Sequence, residues 1–156
     1  LYVFDKVRKQ IPAKLILVGD GPERSNIENL CRKLDTCDDI IALGKVRDAE
    51  KILPVADLFL LTSETESFGL AALEAMTAKV PVVSTNTGGI PEVNIHGYSG
   101  MLSNVGDIED MAKNALYILS DEKIHRQFSE NAYEQSKIFS IYKILPLYEL
   151  LYKNVI

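Results

Sequence analysis

Leu58-Phe-Leu-Leu-Thr-Ser-Glu-Thr-Glu-Ser-Phe-Gly-Leu-Ala-Ala-Leu-Glu-Ala-Met76 is the stretch on which the reading of this chain turns. The apolar run 58–61 has the length of a buried strand, and 62–67 is a polar loop. Residues 68–78 are apolar at nearly every position, as expected of a helix packed closely on a sheet. Ser67 is the expected N-cap, which leaves the amides of Ser67, Phe68, Gly69 and Leu70 among the unpaired N–H groups of a helix start. Such a terminus attracts anions, and a diphosphate could rest there without a metal. Glu66 and Glu74 bracket that point with seven residues between them, roughly 10 Å apart at ~1.5 Å per residue. Each carboxylate can accept a forked pair of hydrogen bonds from a diol. Taken alone, two such glutamates read more simply as a solvated loop residue and an exposed helix residue.

Outward from this stretch, strands and helices alternate. The pattern predicts a helix ending near Gln10, a strand over 13–18, a turn over 19–22, a helix over 23–34 and a strand over 40–43. A short helix over 47–55 and a strand over 81–84 complete the series around the central stretch. This is an α/β chain with a parallel sheet and helices on both faces. Ligands of such sheets bind at the carboxyl ends of the strands, where Gly19, Val46, Glu66 and Thr85 fall. The last third is helical, with Asp107 and Asp121 as N-caps, and the apolar segment 141–156 carries Pro146 as an expected kink.

Length and composition fit one compact domain over 1–156, with 47% hydrophobic and 25% charged residues. A net charge of −5 argues against nucleic acid as a partner, and no apolar run approaches membrane-spanning length. Cys31 and Cys37, with five residues between them, match neither a redox nor a zinc motif; with His96 and His125 remote, both read as free thiols in a reducing compartment, and no metal site is expected. The acidic group Asp107, Glu109 and Asp110 reads as helix-start charge. Gly19-Asp-Gly21 resembles the opening of a dinucleotide fingerprint, but the third glycine position holds Arg24, which argues against nicotinamide binding. Gly88-Gly89 reads equally as a simple turn or as a point of close backbone approach.

Ser63-Glu-Thr-Glu-Ser-Phe-Gly-Leu-Ala-Ala-Leu-Glu-Ala-Met76 resembles the signature of the retaining, metal-independent GT-B glycosyltransferases, the group that includes sucrose synthase and many lipopolysaccharide enzymes. Four more blocks follow that family's order: Leu15-Ile-Leu-Val-Gly-Asp-Gly-Pro22, Leu43-Gly-Lys-Val46, Val80-Pro-Val-Val-Ser-Thr85, and Gly88-Gly-Ile-Pro-Glu-Val93 with His96-Gly97 and Gly100. The resemblance implies the Rossmann-like C-terminal half of a GT-B fold, which binds the nucleotide-sugar donor. By resemblance, Glu66 is the catalytic-site carboxylate that meets donor-sugar hydroxyls, and the amides from Ser67 to Leu70 meet the sugar and the diphosphate. Glu74 grips the ribose diol, Val46 offers backbone groups to the base, and the turn from Gly19 to Gly21 walls the base pocket. Lys51 reads equally as a residue facing base or phosphate and as a solvated lysine.

The resemblance further implies no cofactor beyond the nucleotide-sugar donor substrate, which is expected to be UDP-linked. It implies a cytoplasmic setting, with a peripheral place at the inner membrane as the alternative, and a partner acceptor-binding domain in the same protein. Tyr2, Val3, Phe4 and Val7 read as the later part of a helix, so a first strand, a phosphate-binding loop and the acceptor domain are expected upstream of Leu1. The last helix, expected to cross back onto that domain, would then show an apolar face. Gly88 to Val93, His96-Gly97, Val105-Gly-Asp-Ile108 and Tyr148-Glu-Leu-Leu-Tyr152 are most similar to a subfamily that moves N-acetylglucosamine from UDP-N-acetylglucosamine to L-malate. A non-catalytic nucleotide-sugar-binding module is the alternative. Lys79 departs from the family, which has glycine there; a left-handed Lys79 costs roughly 1 kcal/mol.

Overall fold

The computed structural model describes residues 1–155. Strands β1 (Leu15–Val18) and β2 (Ile40–Gly44) form a parallel pair. Strands β3 (Phe59–Leu61), β4 (Val82–Thr85) and β5 (Gly100–Ser103) form a parallel sheet in that order. The helices are α1 (Tyr2–Arg8), α2 (Arg24–Leu34), α3 (Leu70–Thr77), α4 (Ile90–Val93), α5 (Ile108–Leu119), α6 (Glu122–Ser136) and α7 (Ile141–Val155). The class is as expected, parallel sheets flanked by helices. The sheet is not continuous, however: β1 pairs only with β2 and β3 only with β4, so each keeps one unpaired edge.

Strand β4 shows how the three-stranded half is held. All four of its residues are buried, and successive side chains leave on opposite faces. Val82 joins Ala72, Ala75 and Met76 of α3 on one side, while Val83 joins Met111, Ala115 and Ile118 of α5 with Val3 and Val7 of α1 on the other. Each of the valine, isoleucine and methionine side chains among them contributes about 1.5–3 kcal/mol of burial, and the alanines less. Asn94, wholly buried, ties the sheet further: its Nδ2 donates to Ser84 Oγ at 2.9 Å and to Val82 O at 3.3 Å. The β1–β2 half is thinner, and no residue of β1, β2 or α2 is buried.

The helix caps at the chain's end are those expected. Asp107 Oδ1 accepts from Asp110 N at 2.9 Å, and Asp121 Oδ1 accepts from Lys123 N at 2.8 Å and Ile124 N at 3.0 Å. Lys79 is left-handed, with φ of 63°. Lys79 N donates to Met76 O and Val80 N to Ala75 O, both at 3.0 Å, which closes α3 in a Schellman turn. Ser129 Oγ donates to Lys79 O at 2.6 Å, and the Lys79 ammonium lies 5.1 Å from the Tyr133 ring centre. These contacts offset the backbone cost.

Two expectations are corrected. Residues 47–55 form two short 3-10 turns, Ala49–Lys51 and Leu53–Val55, instead of one helix. Pro54 has no N–H to give and its ring crowds the preceding turn, so a continuous helix is blocked. Cys31 and Cys37 are joined in a disulfide, with Cα atoms 4.9 Å apart, so they are not free thiols and the argument for a reducing compartment falls. The cause lies in the backbone: Asp35 takes φ of 54° and Thr36 N donates back to Cys31 O at 2.9 Å, folding Cys37 over the end of α2.

Helix α7 runs on through Pro146. Its apolar face is exposed as expected, with Tyr142 88% and Leu147 62% accessible. Ile156, the end of the predicted segment, lies outside the described residues. No described helix is long and apolar enough to cross a membrane.

Candidate functional site

The loop between β3 and α3 is built by its neighbour. Thr85, buried at the end of β4, donates its hydroxyl to Ser63 O at 2.6 Å, and Thr87 Oγ1 donates to Glu64 O at 3.2 Å. Gly89 N donates to Glu66 O at 3.3 Å. A Cβ on Gly88, which has φ of 53°, would lie 1.6 Å from Glu66 O, and one on Gly89 would lie 2.4 Å from Ser67 O. Of the two readings of Gly88-Gly89, close approach is therefore the one realised. Two strand-end loops are locked backbone to backbone, and Glu66 sits at the lock.

Helix α3 starts two residues later than expected. Its N-cap is Gly69, with φ of 91°, and Ser67 makes no capping bond. The physical reason is local: a left-handed glycine turns the chain into the helix directly, so no hydroxyl cap is needed. The first intrahelical bond runs from Leu73 N to Gly69 O at 3.0 Å. The unpaired helix-start amides are accordingly those from Gly69 to Ala72, and Ser67 and Phe68 belong to the loop before them. Phe68 anchors that loop, its ring 5.5 Å from Phe139 in an edge-on contact.

The structure brings Glu66 to this helix start. Its Cγ would be 3.9 Å from a Cβ on Gly69. The residue is half-buried, whereas Glu74 is exposed. Leu70 and Glu74 share the exposed face of α3, about 6 Å apart along the axis at 1.5 Å per residue. Because helical side chains lean toward the N-terminus, the Glu74 carboxylate is aimed toward the same free amides. Among the described residues, neither carboxylate is engaged in an ion pair or side-chain hydrogen bond.

Other expected residues lie at the ends of the first pair of strands. Gly19, with φ of 128°, donates its N–H to Gly44 O at 2.8 Å, and nothing lies within 4 Å of a Cβ placed on Gly19 or Gly21. Those glycines face open space. Val46 follows β2 and is half-buried. Lys51 Nζ donates to Asp48 Oδ2 at 2.7 Å within its own exposed turn, the geometry of a solvated lysine. His96, part of a family block, is structural: its Nδ1 accepts from Leu102 N at 3.0 Å. Thr85 was placed at a strand's carboxyl end without a role of its own, and Thr87 was not among the expected site residues. The only signal for them was a pair of threonines at the end of a strand.

Comparison with known proteins follows from this geometry. Residues 1–135 match the family described as "Glycosyl transferases group 1". Over 98% of its length the chain is 45% identical to the N-acetyl-alpha-D-glucosaminyl L-malate synthase of Bacillus anthracis, and it spans 40% of that protein. Among solved structures, HepE of Anabaena in complex with UDP and glucose superposes with a TM-score of 0.86 at 27% identity, covering 97% of this chain and 44% of HepE. Sucrose-phosphate synthase from Thermosynechococcus elongatus gives a TM-score of 0.86 at 27% identity, covering 99% and 41%. The signature around Glu66, the parallel strands and these likenesses agree: the chain belongs to the group 1 glycosyltransferases, and its parallel sheets flanked by helices match a part of their GT-B fold.

Proposed function

We propose that this chain is the donor-binding part of a retaining, metal-independent glycosyltransferase, that the donor is UDP-N-acetylglucosamine, and that the acceptor is L-malate. The observation that carries the reading is the start of α3, where free amides from Gly69 to Ala72 lie between Glu66 and Glu74. A nucleotide sugar has the matching layout: hydroxyls, diphosphate, ribose diol. Negative charge grows on the diphosphate as the sugar departs, and fixed amide dipoles at a helix start stabilise that charge without reorganising. Glu66 holds sugar hydroxyls on one side and Glu74 the ribose diol on the other. Val46 and the turn from Gly19 to Gly21 border the base. The relative named for N-acetylglucosamine and malate supports the choice of sugar and acceptor, and the UDP in HepE supports the base. The acceptor would be held by a further domain of a longer protein.

Calorimetric titration tests this reading. UDP-N-acetylglucosamine and UDP should both bind, and Glu74→Gln should weaken both about 10- to 100-fold, the loss expected for a charge-assisted hydrogen-bond pair. Glu66→Gln should weaken the sugar nucleotide and leave UDP unchanged. Equal affinities for the parent chain and Glu74→Gln would sink the proposal.

A further inference from the structure

Helix α3 is fastened along its length by α6 and the 3-10 turn that follows it, Lys137–Phe139. At the C-terminal end of α3, Ser129 Oγ donates to Lys79 O at 2.6 Å. Midway, Ala132 is wholly buried in one cluster with Ala72, Ala75 and Met76. At the N-terminal end, the Phe139 ring meets the Phe68 ring edge-on, with centres 5.5 Å apart and planes at 76°. Positions 129, 132 and 139 are three and then seven residues apart, a spacing that keeps to one helical face. Phe68 stands at a junction. Before it, the carbonyls of Glu66 and Ser67 lie against Gly88-Gly89; after it, Gly69 O accepts the first bond of α3, from Leu73 N at 3.0 Å. The hydrogen bonds from Thr85, Thr87 and Gly89 reach Ser63, Glu64 and Glu66. Beyond Glu66, the Phe68 ring carries the loop's side-chain anchorage.

We infer that Phe139 is a positioning residue for the donor site: acting through Phe68, it sets where α3 begins and where the free amides from Gly69 to Ala72 point. This rests on the reading of that helix start as the donor site. Fixed amide dipoles favour a diphosphate only when they are aimed at it, and a displacement of about 1 Å is enough to matter. An edge-on ring contact is directional, whereas an aliphatic side chain fills the same space without fixing an angle. A matched pair lies elsewhere: Tyr117 of α5 and Phe128 of α6 also meet edge-on, at 6.2 Å and 85°, and Phe128 belongs to the cluster on the opposite face of β4. Loss of that contact should cost stability and leave the donor loop in place.

The test compares Phe139→Leu with Phe128→Leu in the same chain. Without nucleotide, Phe139→Leu should speed amide exchange at Leu73 and Gly89, which donate to Gly69 O and Glu66 O, about tenfold relative to the amides of α5. Phe128→Leu should not raise that ratio. In calorimetry Phe139→Leu should weaken UDP about tenfold, within the range of couplings carried by packed side chains, and Phe128→Leu should leave it unchanged. Phe68→Leu should weaken UDP as well, and adding Phe139→Leu to it should weaken binding no further, because the two act through one contact. Unchanged exchange at Leu73 and Gly89 in Phe139→Leu would overturn the inference. So would equal loss of UDP affinity in Phe139→Leu and Phe128→Leu, or losses at Phe68 and Phe139 that simply add. The exchange arm needs no nucleotide: a parent chain that binds no UDP defeats the donor reading, while exchange still decides whether Phe139 holds the loop.

Discussion

The two halves of this molecule are built from the same parts and are held very differently. In the three-stranded half, β4 has helices against both faces and every residue buried; in the two-stranded half, β1, β2 and α2 have none. Strand propensity does not separate them, since Leu15-Ile-Leu-Val18 and Ile40-Ile-Ala-Leu43 are as apolar as Val82-Val83. The difference lies in neighbours. A parallel strand is stabilised by cover on both faces and pairing on both edges, and β1 lacks pairing on the edge away from β2. The thin half is fastened instead by polar straps. Arg8 of α1 reaches across to donate to Asp39 Oδ2 at 3.0 Å, Leu34 O at 3.2 Å and Asp35 O at 2.6 Å.

Truncation mutants give the largest test of that contrast. Ile118→Ala, in the closed core against Val83, should lose about 2–5 kcal/mol in urea denaturation. Ile41→Ala, at a site 49% exposed, should lose under about 1 kcal/mol. Comparable losses would mean that the thin half is as well packed as the other.

The glycine loops sharpen the comparison at an intermediate scale. Gly88→Ala must push a methyl group into Glu66 O and should cost at least about 2 kcal/mol, with loss of nucleotide binding. Gly21→Ala meets open space and should stay within about 0.5 kcal/mol. A tolerated alanine at Gly88 would show that the two loops separate freely.

The smallest effect is a pH dependence. Asp5 in α1 is held below the usual carboxylate range, chiefly by the hydrogen bond from Lys9 Nζ at 2.6 Å; its burial opposes this, and the charges of Lys9 and Arg8 reinforce it. A carboxyl whose folded pKa is depressed adds stability above its unfolded pKa, about 4, and loses it as pH falls through the folded value. Asp5→Asn should therefore be less stable than the parent at pH 7, and the gap should close in acid. Urea midpoints at both pH values check this, and a constant gap would assign the effect to packing.

Much of this was legible from residue order. Periodicity located the first four strands and the main helices but not β5, whose four residues open on a glycine, and Asp107 and Asp121 declared their helices because a carboxylate cap is a local event. The stretch from Leu58 to Met76 announced a strand, a polar loop and a helix start, which is the site's frame. Its details depended on distant groups. Ser67 looks like a cap in isolation, but Gly69 took the role with a left-handed backbone that no neighbouring residue type signals. The disulfide depended on the reversal at Asp35, and spacing alone gave no sign of it. The split sheet reflects pairing between segments far apart in sequence, and alternation specifies direction but not adjacency.

The lock between Gly88-Gly89 and the carbonyls of Glu66 and Ser67 bears on how such a site can diversify. Where two backbones touch, there is no side chain to exchange, and even one added carbon is refused. The backbone position of Glu66 is thereby withdrawn from the reach of single substitutions in its partner loop. The turn after β1 is open on every side, with nothing near Gly19 or Gly21. Substitutions can accumulate there while the carboxylate stays where the frame has put it.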